Sequence, residues 1–375
     1  MIRPLTLALA GLAALTASAT LLGCSDQPLV GLPTATGPAP EVLVVSDSTT
    51  WNGIVGDAVR EVIAQPIPTL PNQQAFLRPR FQQLEPNLLA TIRKTKNVLF
   101  IAPIDVETPI GDYLRARIPE GQQDALTSGR SVAVTVREDL WANGQVVVTA
   151  TAATDTLLAQ AILDRADSLR SVYDANALEW TLTNMFDRAQ QTEIEAELMA
   201  TNGWTVSIQH DYLKVQDTTV TADGRTGEFV RFRRVVPETW RDFFVFAQDG
   251  VSELPSTAEI DALTDDLLAT FARGEIDSSF VQLDPRRPVR RDTVQINGRT
   301  ARETRGLWRM VNYPMGGAYI RYAFVDEATD RLFVYYGMVF SPVPRYDKRE
   351  FLRQMEAIAT TFRTQADEPQ AAAAG

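Results

Sequence analysis

The only cysteine among the 375 residues is Cys24. No internal disulfide can therefore hold this chain, and no cluster of thiolates can nucleate it around a metal. Folding has to come from apolar burial. A chain this long can supply that, with hydrophobic residues at 45% and a large share of its surface available to bury. The lone cysteine also leaves no redox pair. There is likewise one histidine, His210. It stands in Gln209-His210-Asp211, between two strand patterns, and reads as an exposed turn residue. A His-rich zinc site is excluded, and a Ser-His-Asp triad would depend on this one residue.

The position of Cys24 is informative. The chain opens Met1-Ile2-Arg3, continues with an apolar run from Leu5 to Leu22, and closes it with Leu21-Leu22-Gly23-Cys24. A basic start, a short apolar core and a small residue before a cut are the parts of an export signal. With cysteine next, the segment resembles the lipobox of bacterial lipoproteins. That resemblance implies cleavage after residue 23, a diacylglyceryl group on the Cys24 thiol and acylation of the new amino terminus. Two or more acyl chains give a stable anchor where one gives a marginal one. The expected location is the cell envelope. Ser25 follows the cysteine and Asp26 comes one place too late for inner-membrane retention, which points to the outer membrane. The competing reading is a transmembrane helix. The run barely reaches the roughly 20 residues a span needs, and that reading leaves the cysteine at its end unexplained.

The net charge is −11, and only four residues are Lys, so nearly all positive charge is Arg. This balance argues against a nucleic-acid partner. Residues 24–40 carry four prolines and two glycines without a period and read as a flexible linker. Residues 365–375 end in four alanines and a glycine and read as a frayed tail.

Between them the pattern predicts an α+β protein of two α/β regions, 41–202 and 203–364. In the first, 41–46 reads as a buried strand. Asp47 to Thr50 cap a helix running to about Ile63, and Pro86 starts a short helix. Strands follow at 97–102, 131–136 and 145–151. A long helical stretch begins at Thr154 or Asp155, as one helix or as two joined near Asp174 to Asn176, and ends at Asn202-Gly203. In the second region, strands are expected at 204–208, 228–236, 242–247, 292–297, 299–310, 317–325 and 331–340. Helices are expected at 257–273 and 347–363. Strands 317–325 and 331–340 are apolar on both faces, so both faces must be covered. This order resembles the Mog1/PsbP-type α/β sandwich, whose members serve as binding or accessory modules; fold alone does not fix function.

Several longer stretches resemble one family. Glu41-Val-Leu-Val-Val, Trp51-Asn-Gly-Ile-Val-Gly-Asp57-Ala-Val-Arg60, Thr304-Arg305-Gly306-Leu307-Trp308, Met315-Gly316-Gly317 and Asp347-Lys-Arg349-Glu350-Phe351 are similar to an uncharacterised lipoprotein family of the Bacteroidota, domain of unknown function 4837, over about 34–363. The resemblance implies a lipoprotein and no catalytic residues.

No Gly-x-Ser-x-Gly elbow, HExxH, CxxC, Walker loop or Gly-x-Gly-x-x-Gly occurs. No catalytic residue, metal ligand or cofactor is therefore assigned. Asp261, Asp265 and Asp266 read as the solvated face of helix 257–273, and Asp105 and Glu107 as loop carboxylates. Three groups stand out as candidate contacts. Trp51 lies near Asp57 among glycines, where it either staples a helix to the sheet or meets a ligand. Arg305 and Trp308, with a Gly316-Gly317 turn, form either a recognition edge for an anionic or sugar ligand or a buried ion pair at the junction of the regions. Arg286, Arg287, Arg290 and Arg291 with Arg231, Arg233 and Arg234 form either a basic patch or charge balance. The function expected is a non-enzymatic envelope module binding a protein or glycan partner; the alternative is an envelope hydrolase using Asp/Glu or Ser without a histidine triad.

Overall fold

The computed structural model describes residues 31–187, 189–236, 239–343 and 346–368. Cys24 lies outside them. Residues from Pro33 onward form one compact unit.

The first region is built on β1 (Glu41–Ser46), whose four central apolar residues are all buried. Val42 and Val44 face one layer of helices, while Leu43 and Val45 face another. Such a strand can sit only in the middle of a covered sheet. After it come α1 (Ser48–Asn52), α2 (Ile54–Ile63), β2 (Arg78–Gln83), α3 (Leu89–Ile92), β3 (Asn97–Ile101), α4 (Pro109–Arg115), α5 (Glu120–Thr127), β4 (Ala133–Glu138) and β5 (Val146–Thr151). The order across the sheet is β2-β1-β3-β5-β4. Strands β2, β1, β3 and β5 are parallel, and β4 closes the far edge antiparallel. The single helix expected from Asp47 to Ile63 is two. Asp47 caps α1 through the Thr50 amide at 2.9 Å, and the chain breaks at Gly53, which is extended. The strand β2 escapes a sequence reading because Arg-Pro-Arg-Phe-Gln-Gln is polar; at the sheet edge Pro79 costs no ladder bond on its outer side.

The long helical stretch is α6 (Asp155–Asp164), α7 (Ala166–Phe186) and α8 (Thr192–Asn202). The expected joint near Asp174 to Asn176 is instead the middle of α7. Those polar residues are held by tertiary bonds: the Asn176 amide donates to Asn97 Oδ1 at 2.8 Å, Tyr173 donates to the Val98 carbonyl at 2.9 Å, and Asp174 pairs with Arg353 at 2.5 Å. Gly203, at φ 73, ends α8 as expected.

The second region follows the expected order, with additions. Its elements are β6 (Trp204–Thr205), β7 (Leu213–Ala222), β8 (Arg225–Val236), β9 (Thr239–Asp249), α9 (Thr257–Phe271), β10 (Val281–Leu283), β11 (Arg290–Ile296), β12 (Arg299–Met310), β13 (Gly316–Asp326), β14 (Arg331–Phe340), α10 (Lys348–Thr360) and β15 (Arg363–Thr364). An antiparallel sheet runs β10-β12-β13-β14-β9-β8-β7, with β11 also on β12. Both faces of β13 and β14 are covered. Leu352, Met355 and Ile358 of α10 pack with Ile320, Tyr322 and Tyr335 on one side. Ile260, Leu263 and Leu267 of α9 pack with Phe244, Tyr319 and Tyr336 on the other. Helix α10 also joins the two regions. Arg349 donates to the Ala75 carbonyl at 2.7 Å, beside the Arg353–Asp174 pair.

Candidate functional site

The Ser256 hydroxyl and Glu259 carboxylate form a reciprocal cap that fixes the start of α9. Burial of Ile260, Leu263, Leu267 and Leu268 then sets the helix's rotation. Asp261 and Asp265, four residues apart, share the adjoining flank. That flank is one wall of a cleft of about 430 Å³, whose other wall is the segment from Gln282 to Arg291 and whose floor includes Tyr319. The volume is in the range of small-ligand sites.

The cleft's charges are held in fixed positions. Arg321 is 1% exposed. It donates to Asp261 at 2.5 Å, to Thr264 Oγ1 at 2.9 Å and to the Ile260 carbonyl at 3.2 Å. Asp261 also receives Arg291 at 3.1 Å. Asp265 accepts the Leu283 amide at 2.7 Å. Burial lifts its carboxyl above the ordinary range, with Asp261 adding to the rise and the Leu283 amide opposing it. Asp284 is chelated by Arg286 at 2.8 and 3.0 Å, which holds its carboxyl below the ordinary range. Burial pushes the Tyr319 phenol up to about 12. Carboxylates, guanidinium groups and Gln282 thus line one concave surface. Acceptors and donors placed side by side suit a ligand rich in hydroxyls. The solvated face expected for Asp261, Asp265 and Asp266 holds for Asp266, which is exposed and accepts the Asp223 amide at 2.8 Å, and is corrected for Asp261 and Asp265, which are half-buried.

Of the candidate contacts read from the sequence, Arg287 and Arg291 line this cleft, and the Trp51 and Arg305 groups fall elsewhere. Trp51 stacks on Phe81 of β2, with centroids 5.4 Å apart, and the Arg60 guanidinium lies 4.5 Å above the indole. Arg60 pairs with Asp57 at 2.8 Å. A side chain at Gly56 would run into the Trp51 carbonyl. This cluster fastens α1 and α2 to the edge strand.

Arg305 and Trp308 do not share a site. Alternation along β12 sends them to opposite faces. Arg305 meets Glu303 at 2.7 Å and Glu356 of α10 at 2.8 Å. Trp308 packs in the α9-side core and donates to the Val339 carbonyl at 3.2 Å. Gly316 and Gly317 are not a turn: they open β13, and the reversal lies before them, where Asn312 has φ 57. Gly317 is needed for close approach, since a methyl there would meet the Val339 carbonyl and the Trp308 indole.

The arginines do not form one basic patch. Arg231 and Arg233 share Asp242, Arg234 pairs with Asp211, Arg286 with Asp284, Arg290 with Asp292 and Arg291 with Asp261. His210 is exposed in a turn. Asp105 and Glu107 are exposed; Asp105 lies near Asp155, whose carboxyl is raised first by burial and then by Asp47 and Asp105.

The cleft was missed because its second wall comes from β10, three residues long, and the irregular chain after it. One signal was available. Arg321 is the only charge in the apolar run from Ala318 to Val325, and a buried arginine requires an acid.

With this geometry in view, family comparisons add a coarse placement. Residues 191–361 match the model described as Domain of unknown function (DUF4837), which covers the second region and α8. Residues 35–186 match a different one, Domain of unknown function (DUF8532). The DUF4837 match is thus shorter than the resemblance over 34–363 read from the sequence. No curated protein matches the chain.

Proposed function

We propose that this protein is a lipid-anchored binding module of the cell envelope, of the Bacteroidota lipoprotein kind. It is tethered through Cys24, with the outer membrane as its site, and takes a hydroxyl-rich glycan in the cleft between α9 and the Gln282–Arg291 segment. The Leu-Leu-Gly-Cys end of the apolar run supports the anchor. The observation that carries the binding role is the cleft itself. Asp261 and Asp284 are already paired with arginines, so their oxygens are held in place before any ligand arrives, and pre-organised polar groups lose little freedom on binding. A glycan array probed with the purified protein tests this. Binding of an envelope oligosaccharide that falls at least tenfold in Arg287→Ala/Gln282→Ala, two changes at the cleft wall, supports the reading. Binding that the double variant leaves intact overturns it.

One observation favours a second reading. Asp265 holds its proton above the ordinary carboxyl range while Asp284 in the same cleft is held below it. Acid and base assignments in carboxylate hydrolases rest on such a split. Turnover of the bound glycan that disappears in Asp265→Asn selects hydrolysis; binding without turnover selects the module.

A further inference from the structure

Helix α7 packs Leu169, Tyr173 and Ala177 against Val146, Val148 and Ala150 of β5. It leaves the edge strand β4 uncovered. Val136 pairs with Val148 and shares its face, yet is 45% exposed. Between α7 and the β4–β5 hairpin lies a cleft of about 390 Å³, separate from the one beside α9 and within the range of small-ligand sites. The hairpin wall carries Glu138, Asp139, Gly144 and Val146. The helix wall carries Val172, Ala175, Asn176 and Glu179, which share one stripe at helical spacing.

The walls are fixed. Asp139 Oδ1 accepts the Gly144 amide at 2.6 Å. Trp180 donates from its indole to the Gly144 carbonyl at 2.8 Å and fills the space that a side chain at Gly144 would need. Asn176 is 7% exposed, and its Nδ2 donates to Asn97 Oδ1 at 2.8 Å. Its Oδ1, in the cleft lining, accepts no hydrogen bond among the described residues. A buried amide oxygen left open calls for a donor.

The charge of the cleft is negative. Glu138, Asp139 and Glu179 are exposed, and none has an ion pair among the described residues. The neighbouring cations are turned to other uses. Arg137 pairs with Val147 and so lies on the opposite face of the sheet. Arg93 and Lys94 follow α3 on that same far side, where Ile92 is packed. Lys96 is buried with its ammonium 3.7 Å from the centre of the Trp180 ring. Arg165, two turns before Val172, donates to the Ala161 carbonyl at 3.2 Å.

We propose that this cleft binds a short aliphatic diamine. One ammonium meets Glu138 and Asp139, the other meets Glu179 with Asn176 Oδ1 as a further acceptor, and the methylene chain lies along Val146, Val172 and Ala175. Alkyl amines are protonated at neutral pH, as lysine is. An ammonium has three donors and no acceptor, which matches a lining of carboxylate and amide oxygens. Apolar side chains between the acids suit methylenes, as they suit the stem of a lysine.

Calorimetric titration of the full chain with putrescine at pH 7 and low salt tests this. Saturable one-to-one binding is expected. Butylamine, which has one ammonium, should bind about tenfold more weakly, the size of one charge-assisted contact, and Glu179→Gln should weaken putrescine by a similar factor. Ala175→Leu fills the cleft, leaves every charge in place and should abolish binding, with an unchanged Tm showing that the fold is intact. No saturable binding, equal affinity for butylamine, or putrescine binding that Ala175→Leu leaves intact overturns the proposal; the last result assigns the amine to the acidic surface at large.

Discussion

Replacing Arg305 with alanine should destabilise the protein in a pH-dependent way. The guanidinium sits between Glu303, at 2.7 Å, and Glu356, at 2.8 Å, and is 16% exposed. Tyr322 donates to the same Glu303 at 2.9 Å. Removing one side of a buried charge cluster costs about 3–5 kcal/mol. The residual exposure of Arg305 places this case at the lower end, about 3 kcal/mol. For a domain this large that is roughly a 6 °C fall in Tm. The pH dependence follows from the two acids. In the wild type, burial pushes the Glu303 carboxyl up, but Arg305 and Tyr322 more than offset this and hold it below the ordinary range. Its contribution is therefore present above the unfolded pKa and lost as pH falls through the folded one. Glu356 is held above the ordinary range by burial, only partly offset by Arg305, so its contribution is present at low pH and lost as pH rises through the folded value. Without Arg305 both carboxyls move up. The variant then gains from protonation as pH falls, and the gap between wild type and variant narrows from pH 8 to pH 5. Calorimetry at the two pH values decides the matter. A fall below about 2 °C at pH 8 would show that the cluster contributes little, since that corresponds to roughly 1 kcal/mol. A gap that widens at low pH would refute the electrostatic account.

Other changes have distinct expected outcomes. Asp265→Asn keeps an acceptor for the Leu283 amide and removes a carboxyl whose raised pKa penalises the folded state as pH rises. Thermal melting at pH 7 should match or slightly exceed the wild type, and the gain should disappear near pH 4; a loss above about 1 kcal/mol would contradict the assignment. Gly317→Ala drives a methyl toward the Val339 carbonyl and the Trp308 indole and should cost about 2–3 kcal/mol in urea unfolding, whereas Gly316→Ala, at an exposed strand end, should cost less. Tyr173→Phe removes the bond to the Val98 carbonyl and should lose about 1 kcal/mol by the same measurement.

What was legible in the sequence follows the physics of each element. Strands β13 and β14 were readable because residues on both faces are apolar, and α9 and α10 because their apolar stripes recur at helical spacing. Strand β7 was not, since at the sheet edge most of its residues are exposed on both faces. Strand β10 is too short to show a period. Helix α7 continues through Asp174 and Asn176 because α10 and β3 supply partners from far along the chain. For the candidate site, the flank bearing Asp261 and Asp265 could be read from α9. The Arg321 that holds Asp261 could not be paired with it, because sixty positions separate them. The separation of Arg305 from Trp308 was in principle legible: an odd offset on a strand places two side chains on opposite faces.

The claim on which the cellular reading depends is the lipid on Cys24, and mass spectrometry of the protein extracted from membranes tests it most directly. The account predicts a chain beginning at Cys24, its thiol carrying diacylglycerol and its amino group acylated, with a Cys24→Ser variant that retains residues 1–23 and carries no lipid. A mature chain whose Cys24 is unmodified, or one that begins elsewhere, would contradict it.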